Sequence, residues 1–396
     1  MRFRLPFRLL SLAVYLCIVF LIALRHSFYE SGEIRPEDEE WDGHHEGDFD
    51  DADIVGNLPP HLNLATRSDR QPNILIWSSG ELGPQHLSGC LEYGCQITTD
   101  QKFVNNSSAI VFHNGVGTPP ATRDPSQFYV FFTQESPLHM SAGGATAQNF
   151  FNLTLGYRRD ADVPCPYGYA VRRRRPFKRL SKNLTELIAR KDRPVAWFVS
   201  NCGAPSGRDE YVRELKKYID VDIYGACGTM SCSKSDDCNG LLDRRYKFYL
   251  AFENSLCKDY ATEKFWEKMT LNIVTVVLKR SIVEKYAPPG SFIAADDFDS
   301  PRSLATYLKK LDSDPALYQA QFKWRREYRI VFLNGRDHGR LERPWCLCEL
   351  CRLLLESPVR PKSYSNIDDW WSTKAECDSN LVRQLIAGKG RNRMPL

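Results

Sequence analysis

Beyond about residue 70 the chain sets short, nearly all-apolar runs against longer stretches in which apolar and polar positions mix, with turn-forming residues between them. The apolar runs predict strands at 73–77, 109–112, 128–132, 194–200, 221–224, 246–252 and 271–278. The stretch 194–200 is apolar almost throughout, as expected when helices cover both faces of a sheet. Helical spacing is clearest at 207–219, through Tyr211, Leu215 and Tyr218, and helices are also predicted at 183–190, 303–311 and 315–324, with 148–155 a further candidate. Strand and helix alternate in two halves joined near residue 190, which predicts an α/β protein of two Rossmann-like domains facing a cleft.

The first seventy residues read differently. Arg2, Arg4 and Arg8 precede an apolar run from Leu9 to Leu24, interrupted by Ser11 and Tyr15. That is slightly short of the roughly 20 residues of a typical span and suits a thin early-secretory membrane. The basic flank favours a cytosolic N-terminus. A cleaved signal is the rival reading, but the run exits through Arg25-His26-Ser27 without a small-x-small site. The division expected is a cytosolic tail at 1–8, a transmembrane anchor at 9–25, a stem at 26–70, a first domain at 71–188, a second at 189–355 and a tail at 356–396. The stem carries ten acidic residues between Glu37 and Asp53, a solvated run rather than a binding site.

A net charge of +4 over 396 residues gives no case for nucleic-acid binding. Of 13 cysteines, Cys17 lies in the apolar run and twelve lie beyond it, an even number suited to an oxidising lumen. Sequons at Asn105, Asn106, Asn152 and Asn183 agree with that compartment. Cys346, Cys348 and Cys351 have spacing that zinc could use, although disulfides suit the compartment better. Asp220-Val221-Asp222, Asp51-Ala52-Asp53 and Asp160-Ala161-Asp162 imitate a D-x-D metal site, but so short a triplet arises easily by chance.

Chemistry concentrates in three segments. The strand starting at Tyr246 stops on Glu253-Asn254-Ser255 and, after Asp259-Tyr260-Ala261, Thr262 begins a helix with Glu263 and Lys264. A parallel strand ending in polar side chains before a helix N-terminus is where open α/β sheets hold nucleotides and phosphates. The run Ser200 to Arg208 repeats that arrangement, with an Arg fork suited to phosphate oxygens. In the first half, Thr133-Gln134-Glu135-Ser136-Pro137 sets a carboxylate just after a strand.

These segments resemble the α1,3-fucosyltransferases of glycosyltransferase family 10, most closely between 195 and 266 and in most of 73–352. The resemblance implies a GT-B architecture and an inverting transfer of fucose from GDP-fucose, with side-chain cations in place of a metal and no cofactor. Glu135 corresponds to the proposed general base of the family's Glu-Ser-Pro motif. Arg208 and Lys264 would neutralise the departing diphosphate, and Asn254, Tyr260 and Glu263 would contact the nucleotide, ribose and fucose. Tyr157, Arg158 and Tyr167 would shape the edges of the cleft. A cysteine pair in the C-terminal region is also implied, with connectivity open. The acceptor implied is a GlcNAc 3-hydroxyl on a glycoprotein N-glycan, with the cysteine pattern at Cys227, Cys232 and Cys238 nearer to enzymes acting on the innermost GlcNAc. The setting implied is the Golgi membrane, single-pass type II, with the catalytic part lumenal.

The match departs where Thr275 stands for an expected Pro, Lys279 for Gly and Ala294 for His. These changes keep two alternatives open: a member that binds GDP-fucose or glycan without transfer, and a transferase with another donor.

Overall fold

The computed structural model describes residues 71–77, 94–142, 148–233, 235–335, 346–355 and 362–389. The expected cytosolic tail, anchor and stem lie outside the described residues, and among those described no helix is long and apolar enough to cross a membrane.

The first lobe is built on strands β1 (Asn73–Ile76), β2 (Gln96–Thr98), β3 (Ala109–His113), β4 (Phe128–Thr133), β5 (Leu153–Gly156) and β6 (Val163–Pro164). They form one parallel sheet in the order β2-β1-β3-β4-β5-β6. Because side chains alternate along a strand, Ile74, Val111 and Val130 enter one core while Leu75, Ile110 and Phe131 enter another on the opposite face. Burial on both faces is why these strands read as unbroken apolar runs.

Strand β7 (Gly168–Arg172) leaves this sheet, and the second lobe begins after helix α1 (Lys182–Ala189), whose N-cap Ser181 accepts from Leu184 N. Its strands are β8 (Arg193–Phe198), β9 (Val221–Tyr224), β10 (Tyr246–Leu250), β11 (Val274–Val277) and β12 (Phe292–Ala294). All are parallel, in the order β12-β11-β10-β8-β9. The chain runs outward from β8 to β9 and returns to build on the other side of β8, so the direction of winding reverses between β8 and β10. That reversal opens a crevice at the carboxyl ends of the two strands. Strand β13 (Tyr328–Phe332) pairs antiparallel with β7 and ties the lobes together.

Two helices flank the crevice. Helix α2 (Arg208–Leu215) buries Arg208, Tyr211, Val212 and Leu215. Helix α3 (Cys238–Arg245) precedes β10, and α4 (Glu263–Thr270) starts at Thr262, whose side chain accepts from Lys264 N, and buries Phe265, Trp266 and Met269. Helix α5 (Pro301–Ser313) starts at a reciprocal Ser300–Ser303 capping box with Pro301 in the first turn, two residues ahead of the start expected at 303. Helix α6 (Pro315–Ala320) follows it.

Residues 148–155 are not a helix. Residues 148–150 form a turn and β5 starts at Leu153, held by the pairing Val130↔Leu153. Gly156 ends that strand so close to β4 that a Cβ there would lie 2.9 Å from Thr133 O. Tertiary pairing overrides the local spacing.

Helix α7 (Cys346–Leu355) packs on the first sheet and is linked to it by Cys95–Cys351 and Cys165–Cys346, while Cys348 is also disulfide-bonded. The last described segment, 362–389, crosses both lobes. Its helix α8 (Ile367–Trp371) buries Ile367 and Trp371 against Phe131 and Tyr157. Cys377 then bonds Cys257, and helix α9 (Leu381–Ile386) lays Val382 and Leu385 into the second core. Cys202–Cys227 and Cys232–Cys238 brace loops of the second lobe.

Asn105 and Asn106 are exposed on a short 3-10 turn, and Asn183 is exposed on α1. Asn152 is engaged: Oδ1 accepts from Tyr129 N at 2.9 Å and from Arg123 at 2.7 Å, and Nδ2 donates to Lys362 O at 2.8 Å.

Candidate active site

A cavity of about 450 Å³ occupies the crevice, lined by Glu135 of the first lobe and by Phe198, Asn201, Arg208, Tyr224, Asn254, Glu263, Lys264 and Lys268 of the second, among others. Strand β4 delivers Glu135 two residues past its end. There Glu135 N donates to Thr133 Oγ1 at 3.1 Å, and Thr133 Oγ1 donates to Asn114 Oδ1 at 2.9 Å. The Glu135 side chain is exposed to the cavity, and its Oε2 accepts from the Tyr260 hydroxyl at 3.3 Å.

Arg208 stands at the first turn of α2. Its guanidinium donates to Phe252 O at 2.8 Å and to Asn201 O at 2.7 Å, so the loops after β10 and β8 both fix it. Burial lowers its pKa, opposed by the carboxylate of Glu253. Lys264 enters from the start of α4, with Nζ 2.8 Å from Glu263 Oε1 and 3.6 Å from Glu253 Oε2. Burial works to lower that ammonium, but Glu253 and Glu263 outweigh it and hold its pKa above the ordinary lysine value. Glu253 is itself buried, which raises its pKa, and accepts from Thr262 N at 2.7 Å and from Thr262 Oγ1. It thereby positions the helix start that carries Glu263 and Lys264. Among the described residues, no group pairs with the buried Oδ1 of Asn254 or the buried Nε of Arg208. Buried polar atoms are normally satisfied, so these two mark where a polar ligand would bond.

The sequence candidates separate into layers. Glu135, Arg208, Asn254, Glu263 and Lys264 share the cavity wall. Tyr260 reaches Glu135, and the Tyr167 hydroxyl donates to Gln134 O at 2.8 Å, which anchors the same loop. Tyr157 lies one layer back, edge-on to Tyr260 at 4.9 Å between ring centres. Arg158 is not brought to the cleft. It is fully buried, donates to both carboxylate oxygens of Asp160 and to Trp370 O, and lies 4.4 Å over the Trp370 ring. Its partner from the tail has no signal in the local spacing.

Glu253, which holds Thr262 and lies beside Lys264, is a residue of the site that sequence reasoning passed over. It stood beside Asn254 in the same run, and a carboxylate closing an apolar strand was the available sign. The D-x-D triplets within the described residues are engaged: Asp222 accepts from Tyr246, and Asp162 from Thr154 and Lys362. Thr275 is buried with its hydroxyl on Met269 Sδ, and Ala294 is buried in β12. Lys279 has an extended backbone at φ −130°, which demands no glycine, and its ammonium pairs with Asp378 at 3.0 Å. Thr275, Lys279 and Ala294 are not among the residues that line the cavity.

Arg208, Lys264 and an Asn254 amide oxygen that has no partner among the described residues lie at the carboxyl ends of one parallel sheet, faced by the Glu135 carboxylate from another. This arrangement defines a two-lobed transferase suited to a phosphorylated leaving group. Comparison with known proteins narrows that class. The profile described as "Fucosyltransferase, N-terminal" matches residues 69–168, and "Glycosyltransferase family 10 (fucosyltransferase) C-term" matches 188–370. The chain is 38% identical over 316 residues to alpha-(1,3)-fucosyltransferase fut-1 of Caenorhabditis elegans, covering 79% of this chain and 72% of that protein. It is 35% identical over 353 residues to glycoprotein 3-alpha-L-fucosyltransferase A of Drosophila melanogaster, covering 84% and 66%. With human alpha-(1,3)-fucosyltransferase 4 it shares 33% over 367 residues, covering 80% and 67%. The chain belongs to glycosyltransferase family 10, the fucosyltransferases.

Proposed function

We propose that the protein is an inverting α1,3-fucosyltransferase that moves L-fucose from GDP-fucose to the 3-hydroxyl of a GlcNAc on a glycoprotein N-glycan, the innermost GlcNAc included. The observation that carries this reading is Glu135 of one lobe sharing a cavity with Arg208 and Lys264 of the other. The Glu135 carboxylate takes the proton of the acceptor hydroxyl as that oxygen attacks C1 of fucose. The bond from C1 to the β-phosphate oxygen breaks on the opposite face, which inverts the anomeric centre. GDP leaves with its new charge offset by Arg208 and Lys264, preset cations that need no reorganisation during the step. Asn254 and Glu263 would hold the nucleotide and ribose, and Tyr260 would sit beside the fucose. No divalent metal is expected as a bound cofactor, because the two side-chain cations fill that role.

The expected setting is the Golgi membrane, single-pass type II, with the two lobes in the lumen. Family membership and a relative named as a glycoprotein 3-alpha-L-fucosyltransferase support the glycoprotein acceptor. The test is calorimetry with GDP and GDP-fucose on purified residues 26–396, followed by labelled transfer to GlcNAc-terminated N-glycopeptides and linkage analysis of the product. An α1,3-linked product supports the proposal. Donor binding without product would identify a member that binds and does not transfer, and activity with a different sugar nucleotide would refute the donor.

A further inference from the structure

Immediately after the proposed base, and immediately after the donor-side amide, the chain places a buried serine. Ser136 follows Glu135 and Ser255 follows Asn254, and both are fully buried. Their hydroxyl oxygens are 2.7 Å apart although 119 residues separate them in sequence. His139 closes the group, its Nδ1 lying 3.2 Å from each hydroxyl. One residue on either side of this contact stand Glu135 and Asn254, which both line the cavity.

We propose that Ser136 and Ser255, with His139, are positioning residues that set the distance between the base and the donor site. The inference rests on the reading of Glu135 and Asn254 given above. The carboxylate sits at the tip of a loop whose backbone is fixed from its own lobe by Thr133 and Tyr167. Those contacts set its orientation within the first lobe. They do not set where the first lobe stands relative to the donor loop. The Tyr260 hydroxyl does cross the gap, but it ends on the carboxylate that must accept a proton, and at 3.3 Å it is a long bond. The serine pair is shorter, is shielded from water, and leaves the carboxylate free.

This contact is not what keeps the lobes together. Phe131, Tyr157, Tyr260 and Trp371 belong to one apolar core across the same junction, and Cys257–Cys377 anchors the tail over it. Removing one hydroxyl should therefore leave the protein folded while loosening the register of two loops. Small misplacements of a general base carry large rate penalties, because the transfer requires a near-attack geometry.

The experiment compares Ser136→Ala, Ser255→Ala and the double variant with the parent, using GDP-fucose affinity by calorimetry, transfer kinetics and amide hydrogen exchange. Each single variant should lower kcat about tenfold, with donor Kd within about twofold of the parent. The double variant should be no more than about threefold slower than either single, since both substitutions remove one contact. Exchange should quicken in the loop of the opposite lobe: at 253–256 in Ser136→Ala and at 135–139 in Ser255→Ala. A parental kcat, multiplicative losses in the double variant, or a fall in donor affinity matching the fall in kcat would overturn the proposal. If the parent transfers no fucose, the proposed function fails, and exchange alone decides: faster exchange across the junction upholds the positioning role and unchanged exchange overturns it.

Discussion

The Tyr260 hydroxyl donates to Oε2 of Glu135 across the cleft at 3.3 Å, and the Tyr260 ring is held edge-on by Tyr157. A carboxylate tethered through one oxygen keeps the other for an acceptor proton. Glu135→Gln preserves shape and removes basicity, so transfer should fall by about 10²–10⁴-fold while GDP-fucose affinity stays within about threefold. Tyr260→Phe keeps the ring and loses the tether, and kcat should fall by a smaller factor than in Glu135→Gln. Steady-state kinetics beside calorimetry separates the two effects, and a Glu135→Gln protein that transfers at the parental rate removes Glu135 from the mechanism.

Lys264 lies against two carboxylates, so binding a diphosphate exchanges neighbours rather than uncovering a bare charge. A hydrogen bond to a charged group contributes about 1.5–3 kcal/mol. Lys264→Ala should weaken GDP binding by roughly 10–100-fold, with Lys264→Arg regaining part of it. Titration with GDP at two ionic strengths checks this: the parent should lose more affinity with added salt than Lys264→Ala does.

The second lobe was legible because its strands are buried on both faces and end on polar clusters. Runs such as 194–200 and 246–252 announce both the element and the site at its end. Glu135, Arg208 and Lys264 each stand within a few residues of a strand end or at a helix start, but that position alone fits a hydrated surface charge equally well. It was the resemblance to the family's motifs that named them. What local pattern could not reveal was long-range. β13 pairs with β7 across some 160 residues, as the register Tyr328↔Arg172 shows. Trp370 and Trp371, far along the chain, find their place against Arg158 and Phe131 of the first lobe. Short elements such as α8, only five residues long, carry too little periodicity to be read.

Arg158 is fully buried, with Asp160 its one ion-pair partner among the described residues, while Asp160 is 41% exposed and also meets Lys258 at 3.0 Å. Burial works to raise the Asp160 carboxyl, but hydrogen bonds from Arg158 and Lys258 outweigh it and hold its pKa below the ordinary aspartate value. A depressed folded pKa means stability that is present above the unfolded value and lost as pH falls through the folded one. Asp160→Asn should therefore cost about 1–2 kcal/mol near neutral pH, discounted for the exposure of the carboxylate. The cost should shrink as the pH falls below about 4. Urea denaturation at a series of pH values checks the sign, and a gap that widens in acid would refute the assignment.

The tail reaches the proposed donor site through Gly207. This residue has φ +71° at the start of α2, and a Cβ there would lie 3.1 Å from Cβ of Val382. Val382 is buried in α9, and Arg208 follows Gly207 directly, so α9 presses on the turn that aims the guanidinium. Gly207→Ala adds two penalties: a left-handed backbone that an L-residue takes at a cost of about 1 kcal/mol, and a contact that forces α9 or the turn to shift. The variant should lose about 1–3 kcal/mol of stability. It should also bind GDP more weakly, because the shift falls on Arg208. Pairing it with Val382→Ala, which opens the space, should restore donor affinity more fully than stability, since the smaller side chain leaves a cavity in the second core while relieving the turn. Calorimetry and thermal unfolding on the three variants measure both, and affinity left unrestored in the pair would show that α9 does not act on the donor site through Val382.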